Sequence, residues 1–128
     1  MPLLKVHICS TEIPAQKPLL TKRLREVMVE TLQIDEKIGQ VVLYETLPQY
    51  RAIHGTRDSR FVFMEVLMYP GRTAELKESL MKSLVEEVNR ILHIDIKDIN
   101  CCLLEVQQDN WFGGISHKYI EDMKKTVL

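Results

Sequence analysis

The 128-residue sequence has little cysteine, no excess of charge of either sign and no long hydrophobic run. No apolar stretch approaches the roughly 20 residues that a membrane helix needs. With 17 Lys and Arg against 18 Asp and Glu, and neither sign gathered into a long run, the chain lacks the basic footprint that binding to nucleic acid requires. Cys9, Cys101 and Cys102 are odd in number, and two are adjacent within an apolar run. That excludes a disulfide framework, and neither the cysteines nor His54, His93 and His117 show metal-ligand spacing. Reduced, mostly buried thiols are expected. The first residues show neither the basic nor the apolar region of a signal peptide. The expectation is a cytoplasmic protein with no nucleic-acid or membrane partner.

What the sequence does contain is an internal repeat. At an offset of 60 residues, Leu20 meets Leu80, Lys22 meets Lys82, Leu24 meets Leu84, Glu26 meets Glu86 and Leu32 meets Leu92. The match continues without a gap through Ile34 and Ile94, Asp35 and Asp95, Lys37 and Lys97, Leu43 and Leu103, and Glu45 and Glu105. The same offset lays "PLLKVHI" over "VFMEVLM", so each half reads strand, helix, strand. Leu20, Leu24, Val27 and Met28 form one apolar stripe, and Leu80, Leu84, Val88 and Leu92 form another, each with the three- and four-residue spacing of an amphipathic helix. The runs "QVVLYE" and "INCCLLE" supply the second strand of each half, and a strand–helix–strand crossover of this kind is normally parallel and right-handed.

At this length one core is expected rather than two. The reading is therefore an α+β domain over 1–128: tandem βαβ repeats forming a four-stranded mixed sheet with two helices on one face. The halves span about 2–46 and 61–106, joined by a linker at about 47–60. A turn at "DNWFGG" and a short helix over 116–125 complete the C-terminal part, about 107–128.

The opening "MPLLKVHI" places a proline directly behind the first methionine. Proline suits the first residue of a strand because it cannot donate to the ladder. If Met1 is removed, Pro2 also presents a rigidly held secondary amine. A free α-amine titrates at about 7.7 to 8.0, a proline amine intrinsically higher, and burial beside a cation brings such an amine toward neutrality. It can then take a proton from one atom and return it to another. An arginine suits as that cation, since guanidinium binds a substrate carboxylate bidentately. The repeat sets Pro2 opposite Val62 and Arg72 opposite Glu12, so one site per chain is expected.

Pro2 on a strand, fused βαβ units, "PGRTAELK" at the second helix and "NWFGG" after the last strand together resemble the tautomerase superfamily. The long-chain layout is most similar to the malonate semialdehyde decarboxylase-like group, and the resemblance covers essentially the whole chain. It implies a homotrimer and a cofactor-independent reaction on a small oxo or enol carboxylic acid. Pro2 would be the catalytic base, Arg72 the carboxylate anchor and Trp111 an aromatic wall of the pocket. Tyr69 stands where related enzymes have a second arginine, and its phenol can donate to a substrate oxygen. His7 reads as a satisfied sheet histidine.

The chain also departs from the decarboxylase-like pattern. That group has an acidic residue where "EKIGQ" offers Lys37 or, after a one-residue slip, Glu36; an arginine used by short tautomerases is replaced by Asn100. The remaining groups suffice for tautomerisation. One alternative is a decarboxylase or hydratase of a three-carbon oxo acid that uses protonated Pro2. A second is a non-catalytic oligomer engaged in protein interaction.

Overall fold

A computed structural model describes residues 2–113. Four strands, β1 (Leu3–Cys9), β2 (Gln40–Thr46), β3 (Val62–Met68) and β4 (Ile99–Glu105), alternate with two helices, α1 (Gln16–Leu32) and α2 (Ala74–Leu92). The sheet order is β2-β1-β3-β4. Pairing is parallel within each βαβ unit and antiparallel between β1 and β3 at the centre. This is the expected mixed sheet, and the helices cover one face of it. The helix expected over 116–125 lies outside the described residues.

Strand alternation decides which side chains meet the helices. Leu4, Val6 and Ile8 of β1 and Val62, Met64, Val66 and Met68 of β3 point inward and are wholly buried. Against them pack Leu20, Leu24, Val27, Met28 and Leu32 of α1, with Leu80, Leu84, Val88, Ile91 and Leu92 of α2. Both apolar stripes read from the sequence face this core. The opposite sheet face carries Leu3, Lys5 and His7 on β1, with Val42, Tyr44, Phe63, Leu67 and Leu104 around them, and it is only half-buried. There His7 stacks on Tyr44 at 4.9 Å between ring centroids and meets Glu65 at 2.8 Å, so this histidine is satisfied on the sheet.

The repeat is carried into the geometry in detail. Leu3 pairs with Gln40, and 60 positions later Phe63 pairs with Asn100. Lys5 lies opposite Glu65, its own repeat equivalent, so the two halves are related about a point at the centre of the sheet. Both helices end on a left-handed residue, Gln33 (φ 53°) and His93 (φ 55°). In both halves an aspartate caps the following turn: the Lys37 amide donates to Asp35 at 2.7 Å and the Lys97 amide to Asp95 at 3.0 Å. The ion pair Lys17–Glu45 on one edge recurs as Lys77–Glu105 on the other.

The segment joining the halves is pinned rather than loose. Arg51 donates to the carbonyls of Ser59 and Phe61. The Asp58 amide donates to buried Asp98 at 3.0 Å, and Arg57 lies over the Phe61 ring at 4.7 Å. Of the three free thiols, Cys9 is buried while Cys101 and Cys102 are half-buried. Burial, reinforced by neighbouring Cys102, pushes the Cys101 thiol up to about 12, which makes it inert as a nucleophile.

Candidate active site

Pro2 occupies a built seat. Its residue is buried, and its carbonyl accepts from the Gln40 amide at 3.1 Å, the first rung of the β1–β2 ladder. Beneath the ring lies Gly39, where a Cβ would sit 3.6 Å from Pro2 Cγ and 3.2 Å from both Met28 Cε and Ile34 Cδ1. Gly39 also has φ +92°, a backbone state that side-chain-bearing residues rarely adopt. Arg25 holds the loop in place: its guanidinium donates to the carbonyls of Glu36, Ile38 and Gly39, the last at 3.0 Å. Arg25 and Gly39 escaped the sequence reading. Arg25 sits on α1 between stripe residues, and nothing local marks a contact with carbonyls 11 to 14 positions away.

Antiparallel register brings the second group in. Leu3 pairs with Leu67, so one step further along the two strands Pro2 and Met68 are neighbours. Arg72 reaches back to Met68, with Nη1 3.9 Å from Sδ. The "GRT" motif explains how: Gly71 takes φ +125°, a turn conformation suited to glycine, and Thr73 caps α2 by accepting from the Leu76 amide at 3.2 Å. Between them Arg72 is held half-buried, and burial draws its guanidinium below its ordinary pKa while leaving it a cation. Among the described residues no carboxylate pairs with it. A half-buried guanidinium without a carboxylate is a site where one is favoured.

Tyr69 follows Met68 directly and is almost completely buried. Its ring meets Trp111 edge-on, with centroids 5.7 Å apart. Trp111 is delivered by the segment after β4, whose Val106 amide donates to the Met68 carbonyl at 2.7 Å and whose short turn Gln108–Asn110 closes with the Trp111 amide on the Gln108 carbonyl at 3.2 Å. The four residues singled out from the sequence, Pro2, Tyr69, Arg72 and Trp111, thus gather around Met68 at one end of the sheet. Lys37 and Glu36 contribute backbone contacts to the Pro2 loop.

Residues 40–113 match the family model described as tautomerase enzyme. The chain belongs to the tautomerase family. Its fold is shared by a fused 4-OT that forms a symmetric trimer (Q0), at 27% identity and TM-score 0.81 over 91% of this chain and 96% of that one. The FG41 malonate semialdehyde decarboxylase inhibited by 3-bromopropiolate is similar at 20% identity and TM-score 0.79, over 94% of this chain and 96% of its own. Pt0534 inactivated by 2-oxo-3-pentynoate is similar at 20% identity and TM-score 0.83, over 92% and 98%. Among curated proteins none matches. Tautomerase membership accounts for the fused βαβ halves, and the relatives include both 4-OT and decarboxylase members.

Proposed function

We propose that this chain is a tautomerase that moves a proton on a small keto or enol acid, with the Pro2 nitrogen as general base, Arg72 as carboxylate anchor, and Trp111 and Tyr69 as the aromatic wall. The observation that carries the reading is Arg72: half-buried, without a carboxylate partner among the described residues, and resting on Met68, the neighbour of Pro2. A substrate carboxylate bound there places the adjacent carbonyl and its α-carbon within reach of the amine. The amine takes a proton from the carbon next to the carbonyl, leaving an enolate, and returns it to the enolate oxygen or to a second carbon of a conjugated chain, while the guanidinium holds the acid and opposes protonation of the amine. In this reading the Tyr69 phenol is the donor to the oxygen on which charge develops.

The proposed assembly is a homotrimer. Val42, Tyr44 and Leu104 are 40 to 49% exposed on the uncovered sheet face, an apolar surface that self-association would cover. The trimeric fused 4-OT with the same fold supports this.

The deciding experiment compares the chain with and without Met1. An acylated Pro2 nitrogen is no base, so retained Met1 or any N-terminal extension abolishes turnover of a keto acid such as phenylpyruvate while the protein stays folded. Undiminished turnover with Met1 confirmed by intact mass would refute the mechanism. The pH profile separates the runner-up: a free-base Pro2 loses activity as pH falls, whereas a decarboxylase or hydratase using protonated Pro2 loses it as pH rises.

A further inference from the structure

Beside the aromatic wall lies a groove of about 250 Å³ lined by Tyr69, Pro70, Gln107, Gln108 and Asp109. Tyr69 is common to both places: one side of the residue follows Met68, on which Arg72 rests, and the other walls the groove. The two segments that line it are tied together just before the groove by the Val106 amide bonded to the Met68 carbonyl, and the turn at Gln108–Asn110 carries Asp109. Pro2 lies on the β1 side of Met68 and the groove on the β4 side, so the two are about two strand spacings, roughly 10 Å, apart. With the carbon next to the carbonyl held at Pro2, a chain running about five carbons further spans that gap, at roughly 1.3 Å per carbon–carbon bond of an extended chain. Asp109 is the one charged side chain among the five lining residues, and it is acidic; the others offer two amides, a phenol and a proline ring. The nearest strand-end acid, Glu105, is paired with Lys77 at 3.0 Å.

We infer that this groove takes the end of the substrate remote from its carboxylate, and that Asp109 makes the site select oxo monocarboxylates with a neutral or hydrogen-bond-donating tail over dicarboxylates. The inference rests on the proposed anchor at Arg72. One guanidinium serves one carboxylate, and a second carboxylate at the far end would be set against Asp109. The amides of Gln107 and Gln108 can both donate and accept, so a hydroxyl or amide tail is accommodated where a second anion is not.

The test uses binding, read from quenching of Trp111, which is the single tryptophan. Two acids of equal chain length, 2-oxooctanoate and 2-oxooctanedioate, differ in the terminal carboxylate alone. The native protein should bind the monocarboxylate about tenfold more tightly at low salt, with the ratio shrinking as salt is added. Asp109→Asn should bring the two affinities within about threefold, and Asp109→Lys should reverse the order. Equal binding by the native protein, no binding of either acid, or a ratio unmoved by both substitutions would overturn the inference. Asp109 is exposed, so both variants are expected to fold. Because the readout needs no turnover, a protein that shows this discrimination but stays active with Met1 retained would refute the role of Pro2 and leave that of Asp109 intact.

Discussion

Replacing Gly39 by alanine strikes the seat of Pro2 in two ways, and a second glycine separates them. The φ of +92° at Gly39 and that of +125° at Gly71 both strain an alanine, at about 1 to 3 kcal/mol each. At Gly71 the new methyl would enter open space, whereas at Gly39 it would stand 3.2 Å from Met28 Cε and from Ile34 Cδ1. Met28 is wholly buried and its terminal methyl must give by a few tenths of an ångström, so an overpacking cost of about 1 to 3 kcal/mol is added. Gly39→Ala should therefore cost about 2 to 6 kcal/mol, against about 1 to 3 for Gly71→Ala. Urea unfolding at fixed protein concentration measures both, and concentration has to be fixed because assembly contributes to apparent stability. For 128 residues an unfolding entropy of about 2.1 cal/mol/K per residue makes each kcal/mol worth about 4 °C in Tm. Should Gly39→Ala prove no more destabilising than Gly71→Ala, the close packing of Gly39 beneath Pro2 would be refuted.

Arg72→Ala should raise KM for a keto acid about 10- to 100-fold, the scale of a lost charged hydrogen bond, with little effect on a ketone that lacks the carboxylate; equal losses on both would give Arg72 another role. Sedimentation of the native protein at micromolar concentration should show a trimer, and Val42→Asp with Leu104→Asp on the open sheet face should yield monomers; a trimer surviving both changes would put the interface elsewhere. Asp98 is held below the usual carboxylate range, chiefly by the Asp58 amide and also by Lys97. A group so depressed stabilises the fold in full above its unfolded value, about 3.9, and loses that contribution as pH falls through its folded value. Asp98→Asn should thus lower Tm at pH 7, and the gap should close as pH falls below about 4; a gap constant with pH would contradict this.

The architecture was legible because its signals are periodic. "INCCLLE" coincides with β4, and each apolar stripe became the buried face of its helix. Parallel pairing within each half followed from the crossover helices. The gathering of Pro2 with Met68 and Arg72 was not legible from periodicity, because it depends on the antiparallel register between β1 and β3, set across the middle of the sheet by residues about 60 positions apart. Resemblance supplied that link. Contacts that periodicity does not encode were missed: Arg25 on the carbonyls under Pro2, Asp98 on the Asp58 amide, and the groove at Asp109. Each is a side chain from one half of a turn or helix meeting backbone or open space, which leaves no local pattern.

The other end of the sheet bears on the proposal of one site in a chain built twice over. In place of Pro2 stands Val62, whose nitrogen is acylated by Phe61 and has no basicity. Cys9 replaces Tyr69 and Arg51 replaces Trp111. Burial raises the Cys9 thiol, but the Thr11 hydroxyl and amide and the charge of Arg51 outweigh it and bring the thiol below its ordinary value. Where Arg72 would be is buried Glu12, and Arg60 grips both of its oxygens at 2.7 Å while also donating to the Leu92 carbonyl at 2.7 Å. The guanidinium–carboxylate pair that Arg72 would form with substrate is thus present at this end already, with both partners belonging to the chain. Arg60 comes from the segment before β3. At this end the backbone thus offers no free amine, and Arg60 fills the place opposite Glu12 with a cation of the chain's own.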